Sequence, residues 1–104
     1  MSDFELAVKA AELPAGGKKV VVIDDRLVAL FHVGGKYYAI DDVCTHDGGP
    51  LAEGTLDGFE IICPRHGARF DIRDGRVLSM PATKDTVSHE VKVEGENVLV
   101  KLSD

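Results

Sequence analysis

The chain has 104 residues, 44% of them hydrophobic, with 12 basic and 18 acidic side chains and a formal net charge of −6. That length suits one domain with a core of its own, and the acidic balance leaves no basic stripe for a nucleic-acid backbone. The charge serves solubility or steers a basic partner, and charge by itself favours the first.

The first predicted strand covers residues 4–8, where Phe4, Leu6 and Val8 alternate with charged or small residues. Leu13-Pro14-Ala15-Gly16-Gly17 turns the chain. A β-branched run at 20–23 is punctuated by Asp24-Asp25 and answered by a returning strand at 27–31. Gly34-Gly35 makes the next hairpin turn, and the strand at 37–40 leads straight into Asp41-Asp42-Val43. Residues 51–63 read as a hairpin turning at Asp57-Gly58, its second strand containing Phe59, Ile61 and Ile62 and ending at Cys63. Segments 69–72 and 76–78 pair across Asp74-Gly75, and Met80-Pro81-Ala82 is irregular. A last hairpin joins 89–94 to 98–102 across Gly95-Glu96-Asn97, with Val91 and Val93 facing inward and Lys92 and Glu94 outward. The regular strand spacing, with no helix or repeat, predicts an all-β antiparallel sandwich or barrel. One domain is expected over 1–104, with a small subdomain at about 43–70.

Two short motifs hold both cysteines and two of the four histidines: Cys44-Thr45-His46 and Cys63-Pro64-Arg65-His66, with 16 residues between them. Two thiolates and two imidazoles can hold a structural zinc ion, or a [2Fe–2S] cluster in which two His replace two Cys on one iron. Zinc knuckles usually space each ligand pair by two or more residues. Here the first pair has one intervening residue, and glycines follow closely at Gly48, Gly49 and Gly67. Glycine lets backbone N–H groups approach anionic sulfides, which favours the cluster; a plain turn role for each glycine is the alternative.

The pattern resembles the Rieske signature, and Leu13-Pro14-Ala15-Gly16, the stretch Gly35-Lys36-Tyr37-Tyr38-Ala39-Ile40, Phe70-Asp71 with Asp74-Gly75, and Val91-Lys92-Val93-Glu94-Gly95 extend the likeness over nearly the whole chain. The family it resembles is the Rieske-type ferredoxins that feed bacterial ring-hydroxylating oxygenases. That resemblance implies a small β-fold with two loops gripping one [2Fe–2S] cluster, Cys44 and Cys63 on the inner iron and His46 and His66 on the outer. It further implies a one-electron carrier between a reductase and a terminal oxygenase, without catalysis of its own. A monomer suffices for that task. Two departures from the respiratory-chain pattern stand out. Gly49 and Arg65 replace the bridged extra cysteines, and Ala68 and Phe70 replace hydroxyl side chains that donate to the cluster sulfurs. Fewer donors to sulfur make reduction harder, which implies a low-potential centre.

Other functions remain open at this point. A catalytic oxygenase subunit adds a mononuclear iron held by two His and a carboxylate, for which only His32 and His89 are left. The small subunit of a nitrite reductase and a partner in iron–sulfur cluster assembly are further readings. His32 and His89 carry no partner signature and are expected at surface or edge positions. Pro81 is either the proline of a loop covering the cluster or an ordinary turn proline. Arg65 and Arg69 are expected to pair with acidic residues, with docking of an acidic partner as the alternative, and Phe70 to pack beneath the second loop. Committing both thiols to metal fits a reducing compartment. Met1-Ser2-Asp3-Phe4-Glu5 lacks the basic and apolar regions of a signal peptide, and no apolar run approaches membrane-spanning length. A cytoplasmic location, away from membranes, is expected.

Overall fold

The hairpins begin where the backbone must enter the left-handed region. Asp24 and Asp25 have φ of 53° and 63°, and Gly34 and Gly35 have 61° and 80°. Such two-residue turns match the twist of the strands they join. They link β2 (Lys18–Ile23), β3 (Arg26–Val33) and β4 (Lys36–Asp41) into a continuous antiparallel ribbon. The computed structural model describes residues 4–43, 49–64, 67–80 and 84–103. Its other strands are β1 (Glu5–Lys9), β5 (Thr55–Asp57), β6 (Glu60–Ile62), β7 (Arg69–Asp71), β8 (Ser88–Glu94) and β9 (Asn97–Lys101). One turn of 3-10 helix at Ala10–Glu12 follows β1.

Six strands form one sheet in the order β1-β9-β8-β4-β3-β2, and three form a second in the order β5-β6-β7. All pairings are antiparallel, as the all-β prediction required. The sequence Val28-Ala29-Leu30-Phe31 does not alternate in polarity because β3 is buried on both faces. Val28 and Leu30 point into a core with Val8, Leu13, Val98 and Val100. Ala29 and Phe31 point the other way, into a core shared with Leu51, Ile61, Cys63, Phe70 and Ile72. β3 is thus the wall between the large sheet's core and the small sheet.

Three sequence expectations need correction. Leu6 is 53% exposed, because β1 carries a bulge between Leu6 and Val8 that breaks the inward alternation. Val93 is 49% exposed. β8 pairs with β4 only at Ser88 and His89, so Val93 lies where the strand has left that neighbour. His89, expected at the surface or an edge, has a fully buried side chain. His32 is half-buried, stacked on Tyr37 with ring centroids 4.1 Å apart, its Nδ1 2.8 Å from the Leu13 carbonyl oxygen.

Candidate metal centre

Cys63 comes directly after β6, at the point where that strand turns back towards β7. Its N–H donates to the Ala68 carbonyl at 2.7 Å, and its own carbonyl accepts from Gly67 N–H at 3.0 Å. Gly67 closes this turn with φ of 76°, a conformation that costs a residue with a Cβ more than glycine. Cys63 is 1% exposed, and among the described residues it has no disulfide partner. It lies in the apolar cluster that also holds Ala68 and Phe70. Phe70 is fully buried, consistent with packing beneath the second loop.

A buried thiol at a strand end, held by a backbone turn, suits a thiolate ligand to a metal centre. Cys44, His46 and His66 lie outside the described residues, as do Gly48, Arg65 and Pro81. Among the described residues, no group of three or more His, Cys, Asp or Glu side chains gathers as a metal site. The donor chemistry of the four sequence ligands, with Cys63 as the placed member, fits an iron–sulfur cluster.

The described flanks of both predicted ligand segments are pinned. Arg69 Nη1 donates to Asp57 at 3.3 Å and Glu60 at 3.2 Å, so this arginine pairs with acidic residues of its own sheet. Asp71 accepts three hydrogen bonds from Arg73, from its backbone N–H and two guanidinium nitrogens. Those bonds hold the Asp71 carboxyl below the usual carboxylate range, against the opposing effect of burial. The Arg73 guanidinium also lies 4.4 Å from the centre of the Phe59 ring.

On the other side, Asp41 ends β4 within a network that sequence reasoning missed. Its carboxylate accepts two bonds from Arg26 Nη2, at 3.0 and 3.1 Å, and lies 2.8 Å from His89 Nε2. Ser103 N–H donates to His89 Nδ1 at 3.0 Å, which leaves the ring proton on Nε2, facing Asp41. Arg26 Nη1 donates to the Ser103 carbonyl at 2.8 Å and closes the ring of contacts. The neighbouring Asp42 points elsewhere, its Oδ1 accepting Ala52 N–H at 2.7 Å. Asp41 is the last residue of β4 and Asp42 the first beyond it, so the adjacent pair Asp41-Asp42 was the one available signal for this division.

Residues 4–101 match the Rieske [2Fe-2S] domain family. The chain belongs to that family. Its cofactor is therefore the single [2Fe–2S] cluster of Rieske domains. It is 40% identical over 97 residues to the ferredoxin component of the naphthalene 1,2-dioxygenase system of Pseudomonas aeruginosa, covering 93% of each chain. The ferredoxin of carbazole 1,9a-dioxygenase from Nocardioides aromaticivorans IC177 superposes with a TM-score of 0.90 at 28% identity, over 93% of this chain and 95% of that one. A chain from the complex of reduced oxygenase and oxidized ferredoxin in carbazole 1,9a-dioxygenase superposes with a TM-score of 0.88 at 34% identity, over 94% of this chain and 92% of that one. No helix among the described residues is long and apolar enough to cross a membrane.

Proposed function

We propose that this Rieske chain is a soluble cytoplasmic carrier that receives electrons from a reductase and passes them to the terminal oxygenase of a ring-hydroxylating system. The observation that carries this reading is the near full-length likeness to a dioxygenase ferredoxin component, 93% of each chain at 40% identity. The nitrite-reductase and cluster-assembly readings are not favoured beside it. The chain acts as a single domain over 1–104, with 43–70 as its cluster-binding part and Cys44, His46, Cys63 and His66 as the ligands.

When bound, the cluster supplies a centre that takes up and returns one electron. The protein's part is to hold and screen it. Cys63 would bring its thiolate from a buried position, out of contact with solvent. Ala68 and Phe70, both fully buried, present no hydroxyl to the sulfurs, so the midpoint potential belongs near the low end of the Rieske range.

Anaerobically purified protein should contain iron and acid-labile sulfide in equal amounts, about two of each per chain. Mixed with the reductase and oxygenase of a naphthalene dioxygenase system, it should restore substrate-dependent product formation. Stoichiometric zinc without sulfide in freshly isolated protein would overturn the reading.

A further inference from the structure

We propose that Asp42 is a positioning residue for the metal centre, tying the base of the first ligand segment to the wall of the large sheet. The proposal rests on the reading of Cys44, His46, Cys63 and His66 as ligands, and on the geometry of the described residues at either end of the first segment. Asp42 is 3% exposed. Its N–H donates to the Leu27 carbonyl on β3 at 3.0 Å, which fixes its backbone to the large sheet. Its carboxylate reaches ten positions along the chain to the N–H of Ala52 at 2.7 Å. A backbone N–H donated to a carboxylate in a buried site is among the stronger hydrogen bonds available to a protein. It joins the chain just before Cys44 to the chain just after Leu51.

From Ala52 the hold continues to the second ligand segment. Gly54 N–H donates to the Leu51 carbonyl at 2.9 Å. A Cβ at Gly54 would collide with the Ile62 carbonyl oxygen, so Gly54 lies directly against the residue before Cys63. Asp42 therefore connects β3, the segment that carries Cys44 and His46, and the strand that delivers Cys63. Asp41 anchors the same strand end through Arg26 and His89, and its N–H donates to the Val87 carbonyl at 2.8 Å. With β4 fixed in this way, the Asp42 carboxylate becomes a rigid post for Ala52. Groups that orient metal ligands from outside the coordination sphere typically change metal affinity 10- to 100-fold when removed.

The test compares Asp42→Ala with Asp42→Asn. The alanine variant loses the acceptor, whereas asparagine keeps an oxygen that can accept the Ala52 N–H. Purified holoprotein is exposed to excess chelator, and loss of the visible absorption is followed in time. The electron paramagnetic resonance spectrum of the reduced protein is recorded alongside. Asp42→Ala should lose its metal roughly 10- to 100-fold faster than the wild type and show a broadened spectrum, while Asp42→Asn should hold it at close to the wild-type rate. An alanine variant that matches the wild type, or an asparagine variant as labile as alanine, would overturn the proposal. Should Asp42→Ala fail to fold, hydrogen exchange in the unmodified protein decides. The Ala52 amide must then exchange as slowly as those of β3, and exchange at solvent-exposed rates overturns the role. Iron and sulfide content of the wild type checks the functional reading separately. If the metal proved to be zinc, the same chelator assay followed by zinc release would still test Asp42, because its hold is on the chain.

Discussion

In the large sheet β3 pairs with six residues of β2 on one side and six of β4 on the other, whereas every strand of the small sheet is three residues long. Long ladders around a shared apolar interior make the large sheet a self-sufficient scaffold. Three-residue strands are marginal alone, and the small sheet takes its order from elsewhere. Ala29, Phe31 and Ile40 of the large sheet supply part of its core. Arg69 ties β7 to Asp57 and Glu60, and Asp71 is bonded to Arg73 beside the Phe59 ring. Cys63 thus follows a strand from the part of the molecule with least ladder of its own. Metal binding and local order in such a unit are coupled.

Removing the one described member of the proposed ligand set should break that coupling most visibly. Cys63→Ser should abolish the visible absorption and the bound iron and sulfide, and should speed hydrogen exchange of amides at 55–71. Amides of β2, β3 and β4 should stay protected. Loss of protection in both sheets together would show that the large sheet is not self-sufficient.

Cavities in the two cores come next. Phe70→Ala should cost about 3–5 kcal/mol and Leu30→Ala about 2–5 kcal/mol, both sites being fully buried. Their consequences should differ. Phe70→Ala should release metal at temperatures where the β3 amides remain protected, whereas Leu30→Ala should lower the unfolding temperature of both sheets in one transition. Calorimetry beside absorption at the cluster band separates the two.

A smaller effect is expected at Asp71. Asp71→Asn removes a charged acceptor of three bonds and should destabilise the fold by about 1–3 kcal/mol at pH 7. The carboxyl is held below its usual range in the folded state. Its stabilisation is therefore fully present above the unfolded value, near 4, and is lost as pH falls through the lower folded value. The stability gap between wild type and variant, measured by denaturant unfolding, should shrink below about pH 4. A gap independent of pH would assign the effect to packing.

The potential should respond to hydroxyls placed near sulfur. Ala68→Ser with Phe70→Tyr should raise the midpoint from a wild-type value of roughly −150 mV. An unchanged midpoint in redox titration would mean that the side chains at these two buried positions do not reach the sulfurs. The smallest change belongs to the far end of the large sheet. Asp25 occupies the left-handed region at φ of 63°. Relief of that conformation, about 1–2 kcal/mol at most, is partly offset by glycine's larger entropy loss on folding. Asp25→Gly should therefore stabilise the fold by less than about 1 kcal/mol. It should leave the cluster spectrum unmoved, since the turn affects only the scaffold.

Much of this architecture was legible because short-range chemistry governs it. Asp24-Asp25 and Gly34-Gly35 marked their hairpins through the φ values such turns demand, and Phe70↔Val77 pair across Asp74-Gly75 as expected. The cysteine and histidine spacings carried the family resemblance for the same reason, since ligand pairs within one loop are set by covalent reach. The positions that resisted reading depend on neighbours distant in sequence. His89 meets Asp41 across 48 positions, and nothing around His89 itself announces a carboxylate. Val93 fits the inward alternation of its strand, yet its exposure follows from where β8 leaves β4.

By itself the sequence determined the family, the cluster chemistry and the run of hairpins. Turn geometry, side-chain alternation and ligand spacing act over a few residues and need no knowledge of the rest. Only the tertiary structure decided what supports the centre. It buried β3 on both faces, sent Asp41 to His89 and Arg26, and sent Asp42 to Ala52. Two adjacent aspartates are equivalent in a linear chain. At the end of β4 they meet different neighbours, and the packing around each gives them different partners.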